Sequence, residues 1–222
     1  MGMPEQLTLF LKDKFVSNTL IETGTYYGAT ALWASKHFKT VHTIELSEPL
    51  YQITSAKYGN IENINFHFGD TRTLLKEILK NTPDDEKIIL WLDAHWSSDI
   101  TYGENDQCPL LQELEILTTC KQEVCILIDD ARLFTAPPPR PNDYRQYPNI
   151  QEIASHFSND SFICIDDDVI IVVPERLKED CQKYLQEKAT ADWQKLSEQY
   201  KKAQPGTLTR LMLRIVNKLK RL

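Results

Sequence analysis

Apolar residues along this chain follow two alternating rhythms. Short continuous apolar runs, the mark of strands buried on both faces, alternate with stretches in which apolar positions recur at helical spacing. Residues 6–15 open as a helix, with Leu7, Phe10, Leu11 and Phe15 on one face. Strands follow at 19–22, 41–46, 64–68, 87–92 and 124–128. The helices between and after them are expected at 29–38, 49–58, 71–80, 109–119 and 149–157.

Strand–helix units of this kind predict a parallel sheet covered by helices on both faces, since right-handed crossovers put the helices there. The rhythm changes at Ser161. Two apolar runs, 161–165 and 169–173, are joined only by Asp166, Asp167 and Asp168, a link that permits only an antiparallel hairpin. The expected fold class is therefore α/β: a doubly wound, mostly parallel, seven-stranded, Rossmann-like sheet ending in an antiparallel β-hairpin. After Pro174 the chain turns polar and helical, and Pro205-Gly206 breaks it before a last helix at 207–222. The expected organisation is one catalytic-type domain, 1–174, and a C-terminal helical extension, 175–222.

Composition narrows the classes. A net charge of −7 argues against a nucleic-acid partner, which needs a basic face. The charge is uneven, because Arg210, Arg214, Lys218, Lys220 and Arg221 lie at the end of the chain without an acid among them. Five cysteines, an odd number without CxxC spacing, read as reduced thiols of a cytoplasmic protein. No signal peptide is visible, and no apolar run reaches the roughly 20 residues a membrane span needs.

Ligands of open α/β sheets bind at the carboxyl ends of the strands. The first strand ends in Glu22-Thr-Gly24-Thr25-Tyr26-Tyr-Gly28. Its G-x-x-x-G spacing is neither the dinucleotide fingerprint nor a P-loop. A carboxylate at Glu22 repels a pyrophosphate and suits an ammonium or sulfonium group. Glu45, ending the second strand, is placed to accept both hydroxyls of a ribose. Asp70, after the third, is placed to accept from an adenine amino group. Together these acids ask for a neutral or cationic nucleoside.

On these residues the chain resembles the class I S-adenosylmethionine (SAM)-dependent methyltransferases over roughly residues 5–174. Their acidic glycine turn corresponds to Glu22–Gly28, their ribose acid to Glu45 and their adenine-side acid to Asp70. Tyr26 stands where many members have glycine. The resemblance implies SAM as cofactor, held by Glu22, Gly24, Thr25, Tyr26, Gly28, Glu45, Asp70 and Asp93.

The fourth strand ends Leu92-Asp93-Ala94-His95 and the fifth Ile128-Asp129-Asp130. In this topology strands one, four and five are neighbours, about 4.8 Å apart. Three carboxylates that close need positive charge between them, and a hard divalent cation such as Mg²⁺ supplies it. The pattern resembles the metal-dependent O-methyltransferases of the catechol and antibiotic-sugar types. That implies metal ligation by Asp93, Asp129 and Asp130, and catalytic roles for Asp93 and for His95 as general base. The expected activity is metal-assisted O-methylation of a small hydroxylated acceptor, a sugar among the candidates. The alternatives are a metal-independent methyltransferase and a non-catalytic SAM-binding protein.

Asp166–Asp168 reads as a solvated turn, and Arg132 as either an anion-binding group or the partner of a neighbouring acid. His37, His42, His67 and His156 suggest no partner. The loops 97–108 and 132–148 hold Tyr102, Glu104, Asp106, Arg140, Asp143, Tyr144, Arg145 and Tyr147, a polar, aromatic set suited to lining an acceptor site. In the tail, Leu208, Leu211, Met212, Ile215, Val216 and Leu219 keep helical spacing against a basic face. Such a helix docks on its own domain or a second subunit, or lies peripherally on an anionic membrane.

Overall fold

A computed structural model describes residues 2–96, 103 and 105–203, the last three by backbone alone. It divides into two compact units, Met1–Lys178 and Glu179–Leu222. In the first, α1 (Glu5–Phe15) precedes β1 (Thr19–Thr23), α2 (Ala29–Ala34), β2 (Thr40–Glu45), α3 (Glu48–Tyr58), β3 (Ile64–Phe68) and α4 (Thr71–Asn81). Then come β4 (Lys87–Leu92), α5 (Leu110–Thr119), β5 (Glu123–Ile128), α6 (Arg132–Thr135), α7 (Ile150–Ala154), β6 (Ser161–Asp166) and β7 (Val169–Pro174). A long helix, α8 (Lys178–Ala203), makes up the described part of the second unit.

The strands form one seven-stranded sheet in the order β3-β2-β1-β4-β5-β7-β6. The first five are parallel, and β7 runs antiparallel to both β5 and β6. The central strands are apolar on both faces because helices cover both. Every residue of β1 is buried, and Ile88 to Leu92 of β4 are buried in succession. The order reverses between β1 and β4, so the ends of β1, β2, β4 and β5 flank the crevice where such sheets bind ligands.

The departures from expectation are local. α2 stops at Ala34, and the chain reaches Phe38 through turns in which Lys36 and His37 donate to carbonyls three residues back. α7 is shorter than its pattern, starting at a capping box between Asn149 and Glu152. α6 is only four residues long, too short to leave a periodic signal. The expected helix at 207–222, with Tyr102 and Glu104, lies outside the described residues. Among the described residues no helix is long and apolar enough to cross a membrane.

Candidate active site

A cavity of about 550 Å³ opens at the carboxyl ends of β1, β2, β4 and β5. Glu22, Gly24, Thr25, Tyr26, Glu45, Asp70, Asp93, His95, Asp129 and Asp130 all line it. Gly28 does not. It starts α2 at φ 75°, and a Cβ there would lie 3.1 Å from the Tyr58 ring. Its part is the turn itself.

The acids after β1, β2 and β3 are held by groups close at hand. Glu22 ends β1 fully buried, with the Thr43 hydroxyl of β2 donating to its Oε2 at 2.6 Å. The Thr25 and Thr43 hydroxyls are also 2.6 Å apart. Burial outweighs these bonds and pushes the Glu22 carboxyl up to about 8. Near neutral pH it therefore keeps a proton until a cation approaches. Glu45 accepts from the backbone N–H of Ser47 at 2.8 Å and of Tyr26 at 2.9 Å, one to each oxygen. Burial moves it upward too, against those bonds.

Tyr26 reaches Glu45 because its φ is 48°, the left-handed conformation that glycine takes most readily. The fixed bond to Glu45 is what holds a tyrosine there. Gly24, at φ 87°, lets the turn pass so close to β4 that a Cβ would stand 2.4 Å from the Asp93 carbonyl oxygen. Asp70 caps α4 by accepting from the Arg72 backbone N–H, and also takes the Arg72 guanidinium in a forked pair. That hydrogen bonding holds its carboxyl below the usual range. Arg72 continues to Asp106 at 2.6 Å, which also lines the cavity.

At the other end, β5 stops at Ile128, and Asp129 and Asp130 follow it. His95 stands between two acids: Nε2 is 2.9 Å from Asp130 Oδ2 and Nδ1 is 3.5 Å from Asp93 Oδ1. Burial pulls the His95 imidazole down, but the hydrogen bond to Asp130 and the charges of Asp93, Asp130 and Asp129 win, leaving it above 6.5. Asp93, mainly through burial and despite His95, is pushed up to about 7. Burial also raises Asp129, with the Asp130 charge adding to it. For Asp130 burial works upward and is overcome by His95 and Arg132, so it lies below its ordinary value.

Asp93, Asp129 and Asp130, the expected Mg²⁺ ligands, all line the cavity, and each has a protein neighbour. The Asp130 oxygens face His95 Nε2 and Arg132 Nη1, the latter at 2.8 Å, while Asp129 Oδ1 accepts the Asp130 N–H at 2.8 Å. Among the described residues no group of three acidic, histidine or cysteine side chains is placed to hold a metal ion. Arg132 and His95 stand beside Asp130, and His95 also beside Asp93.

Several residues fall differently from the sequence reading. Asp168 is not a solvated turn acid: its side chain is only 17% exposed, paired with Arg132 and accepting the Arg132 N–H at 2.7 Å. Of the loop 132–148, no residue lines the cavity. Tyr147 turns inward beside Phe134, and Arg145 pairs with Asp143 on the surface. Arg72 and Asp168 were missed as site components. An Asp-x-Arg step at a helix start signals the first; the register across the hairpin signals the second.

No protein-family model matches the chain, and no curated protein matches it. Solved structures do. A putative caffeoyl-CoA O-methyltransferase from Staphylococcus aureus aligns with TM-score 0.53 at 14% identity, over 78% of this chain and 85% of that one. An O-methyltransferase from Bacillus cereus in complex with SAH gives 0.52 at 17% identity, over 78% and 81%. The O-methyltransferase TomG from Streptomyces achromogenes, involved in tomaymycin synthesis and in complex with SAM, gives 0.51 at 16% identity, over 78% and 79%. The chain has the class I methyltransferase fold. At these identities the likeness speaks for the fold, and the chemistry rests on the side chains of the site.

Proposed function

We propose that this protein is a SAM-dependent methyltransferase acting on a hydroxyl group of a small acceptor. The observation that carries the reading is the grouping of Glu22, Glu45 and Asp70 around one cavity at three successive strand ends. Glu22 would hold the ammonium of the cofactor's amino-acid end, Glu45 the ribose hydroxyls and Asp70 the adenine edge. Gly24 lets the cofactor approach the backbone, while Thr25 and Tyr26 fix the turn. When bound, SAM supplies a methyl group on a sulfonium, and transfer to an acceptor oxygen leaves SAH.

His95 is the general base. With Asp130 accepting from Nε2–H, the lone pair lies on Nδ1, which takes the hydroxyl proton. Asp93 and Asp130 then flank the imidazolium and stabilise it. Asp93, Asp106 and Asp129 offer acceptors for further hydroxyls, which suits a polyol such as a sugar. His95 and Arg132 stand beside Asp130, and His95 beside Asp93, so the proton transfer written here needs only these side chains.

The test is calorimetric titration with SAM, then a screen of hydroxylated acceptors, sugars included, with methyl-labelled SAM. Binding with transfer to at least one hydroxyl is expected, with turnover unchanged by EDTA. Absence of SAM binding overturns the reading. Tight binding without transfer to any acceptor favours a SAM-binding module. Turnover abolished by EDTA and restored by Mg²⁺ would return the metal to the mechanism.

A further inference from the structure

The β6–β7 hairpin turn does not line the cavity, but it is tied through Arg132 to Asp130, which does. Continuing the antiparallel register that pairs Ile128 with Ile170 sets Asp168 opposite Asp130. Both residues hold left-handed φ, 68° for Asp168 and 57° for Asp130. Three bonds cross between the turns. The Asp168 carbonyl accepts the Ala131 N–H at 2.8 Å, Asp168 Oδ1 accepts the Arg132 N–H at 2.7 Å, and the Arg132 guanidinium pairs with Asp168 Oδ2. The same Arg132 Nη1 lies 2.8 Å from Asp130 Oδ1, and the other oxygen of Asp130 faces His95.

We infer that Arg132 and Asp168 are positioning residues that orient His95 through Asp130. The geometry stands by itself; only its catalytic consequence rests on the proposed methyl transfer. A carboxylate held only by the ring can swing about χ1 and χ2 and loosen its hold on Nε2. The Arg132 charge beside Oδ1, an ion-pair contact at 2.8 Å, keeps Asp130 in place with Oδ2 on Nε2, so the proton stays on Nε2 and the lone pair on Nδ1. Arg132 alone is too exposed to stay in one rotamer. Asp168 removes that freedom by gripping both its backbone N–H and its guanidinium.

The test reads the tautomer directly, without needing an acceptor. The chain has five histidines, so long-range proton–nitrogen spectra of the rings are assignable with His95→Gln as reference. Recorded above the protonation range of His95, the ring is expected as a single Nε2–H tautomer. Arg132→Ala and Asp168→Ala are expected to give an exchange-averaged mixture. Asp168→Asn, which keeps an oxygen for the Arg132 N–H but loses the charge, is expected to fall between. In turnover, each alanine variant lowers kcat about tenfold, with SAM affinity and the KM for SAM unchanged. Added guanidinium restores part of the activity of Arg132→Ala and none of that of Asp168→Ala. The double variant is no slower than either single one.

A His95 tautomer unchanged in both alanine variants overturns the inference. So does a fall in kcat matched by an equal loss of SAM affinity, which marks a general structural defect. If the wild-type protein binds SAM but methylates nothing, the functional reading fails while the ring spectra still decide this one.

Discussion

The ends of β1 and β2 and the ends of β4 and β5 carry the same residue types, yet their acids are stabilised in different ways. At the ends of β1 and β2 each acid is held by neutral donors from adjacent segments: Thr43 for Glu22, and the Tyr26 and Ser47 backbone for Glu45. At the ends of β4 and β5 the acids are held by charge, with His95 between Asp93 and Asp130, and Arg132 between Asp130 and Asp168. Neutral donors shape a carboxyl group without supplying a counter-charge, which on the proposed reading leaves Glu22 able to ionise for an arriving cation and Glu45 able to receive a diol. Arg132 meets the charge of Asp130 and Asp168, and a neutral His95 bonded to Asp130 keeps one ring nitrogen free to act as a base. On the proposed reading one end binds and the other moves a proton.

The sharpest break of this contrast is His95→Ala. It is expected to lower kcat by roughly 10²- to 10⁴-fold while SAM affinity, measured by calorimetry, stays at the wild-type value. A matching loss of SAM affinity would erase the division between the two ends. Glu45→Gln is the mirror experiment. Replacing a charged acceptor by an amide is expected to weaken SAM about 10- to 100-fold, and kcat at saturating SAM should change far less.

A smaller effect comes from Glu22. Its carboxyl, at about 8 in the free protein, holds a proton at pH 7, and the arriving ammonium favours the charged form. SAM binding at pH 7 should therefore release a proton, seen as a dependence of the calorimetric heat on the ionisation enthalpy of the buffer. Affinity should rise with pH up to about 8, by at most about tenfold per unit, and Glu22→Gln should lose both effects. Were binding to take up a proton instead, Glu22 would not be the ammonium site.

The cofactor end was the more legible one in the sequence. Glu22, Glu45 and Asp70 each close a strand whose apolar run is unmistakable, so naming the strand ends named the acids. What escaped was conformation and partner choice. Nothing local reveals that Tyr26 takes a left-handed φ, because the donor contact that holds it is to Glu45 on another strand. Arg72 was hidden by the very bonds that make it matter, since it donates to the Asp70 cap and pairs with it only once α4 has begun.

The acceptor end was readable only as a set of acids. Asp93, Asp129 and Asp130 do meet, and spacing alone suggests a metal between them. The residues that meet their charge lie elsewhere in the chain or at an ambiguous position: Asp168 is 36 residues beyond Arg132 and joins it only through β5–β7 pairing. The loop 132–148 misled for a related reason. Its polar residues resemble a substrate lining, but Arg145 pairs with Asp143, Tyr147 turns toward the core and Tyr144 is exposed on the surface.

The sequence by itself determined the order of strands and helices, the antiparallel close of the sheet and the strand ends that bear carboxylates, because strand patterns and turn lengths are local and leave a period in the chain. Tertiary structure decided which charges cancel. Hydrogen bonds and ion pairs across the ends of β1, β4, β5 and β7 join residues far apart in sequence, and burial then sets which carboxyls hold protons. Those distances put His95 between Asp93 and Asp130 and Arg132 between Asp130 and Asp168, which no spacing in the sequence announces.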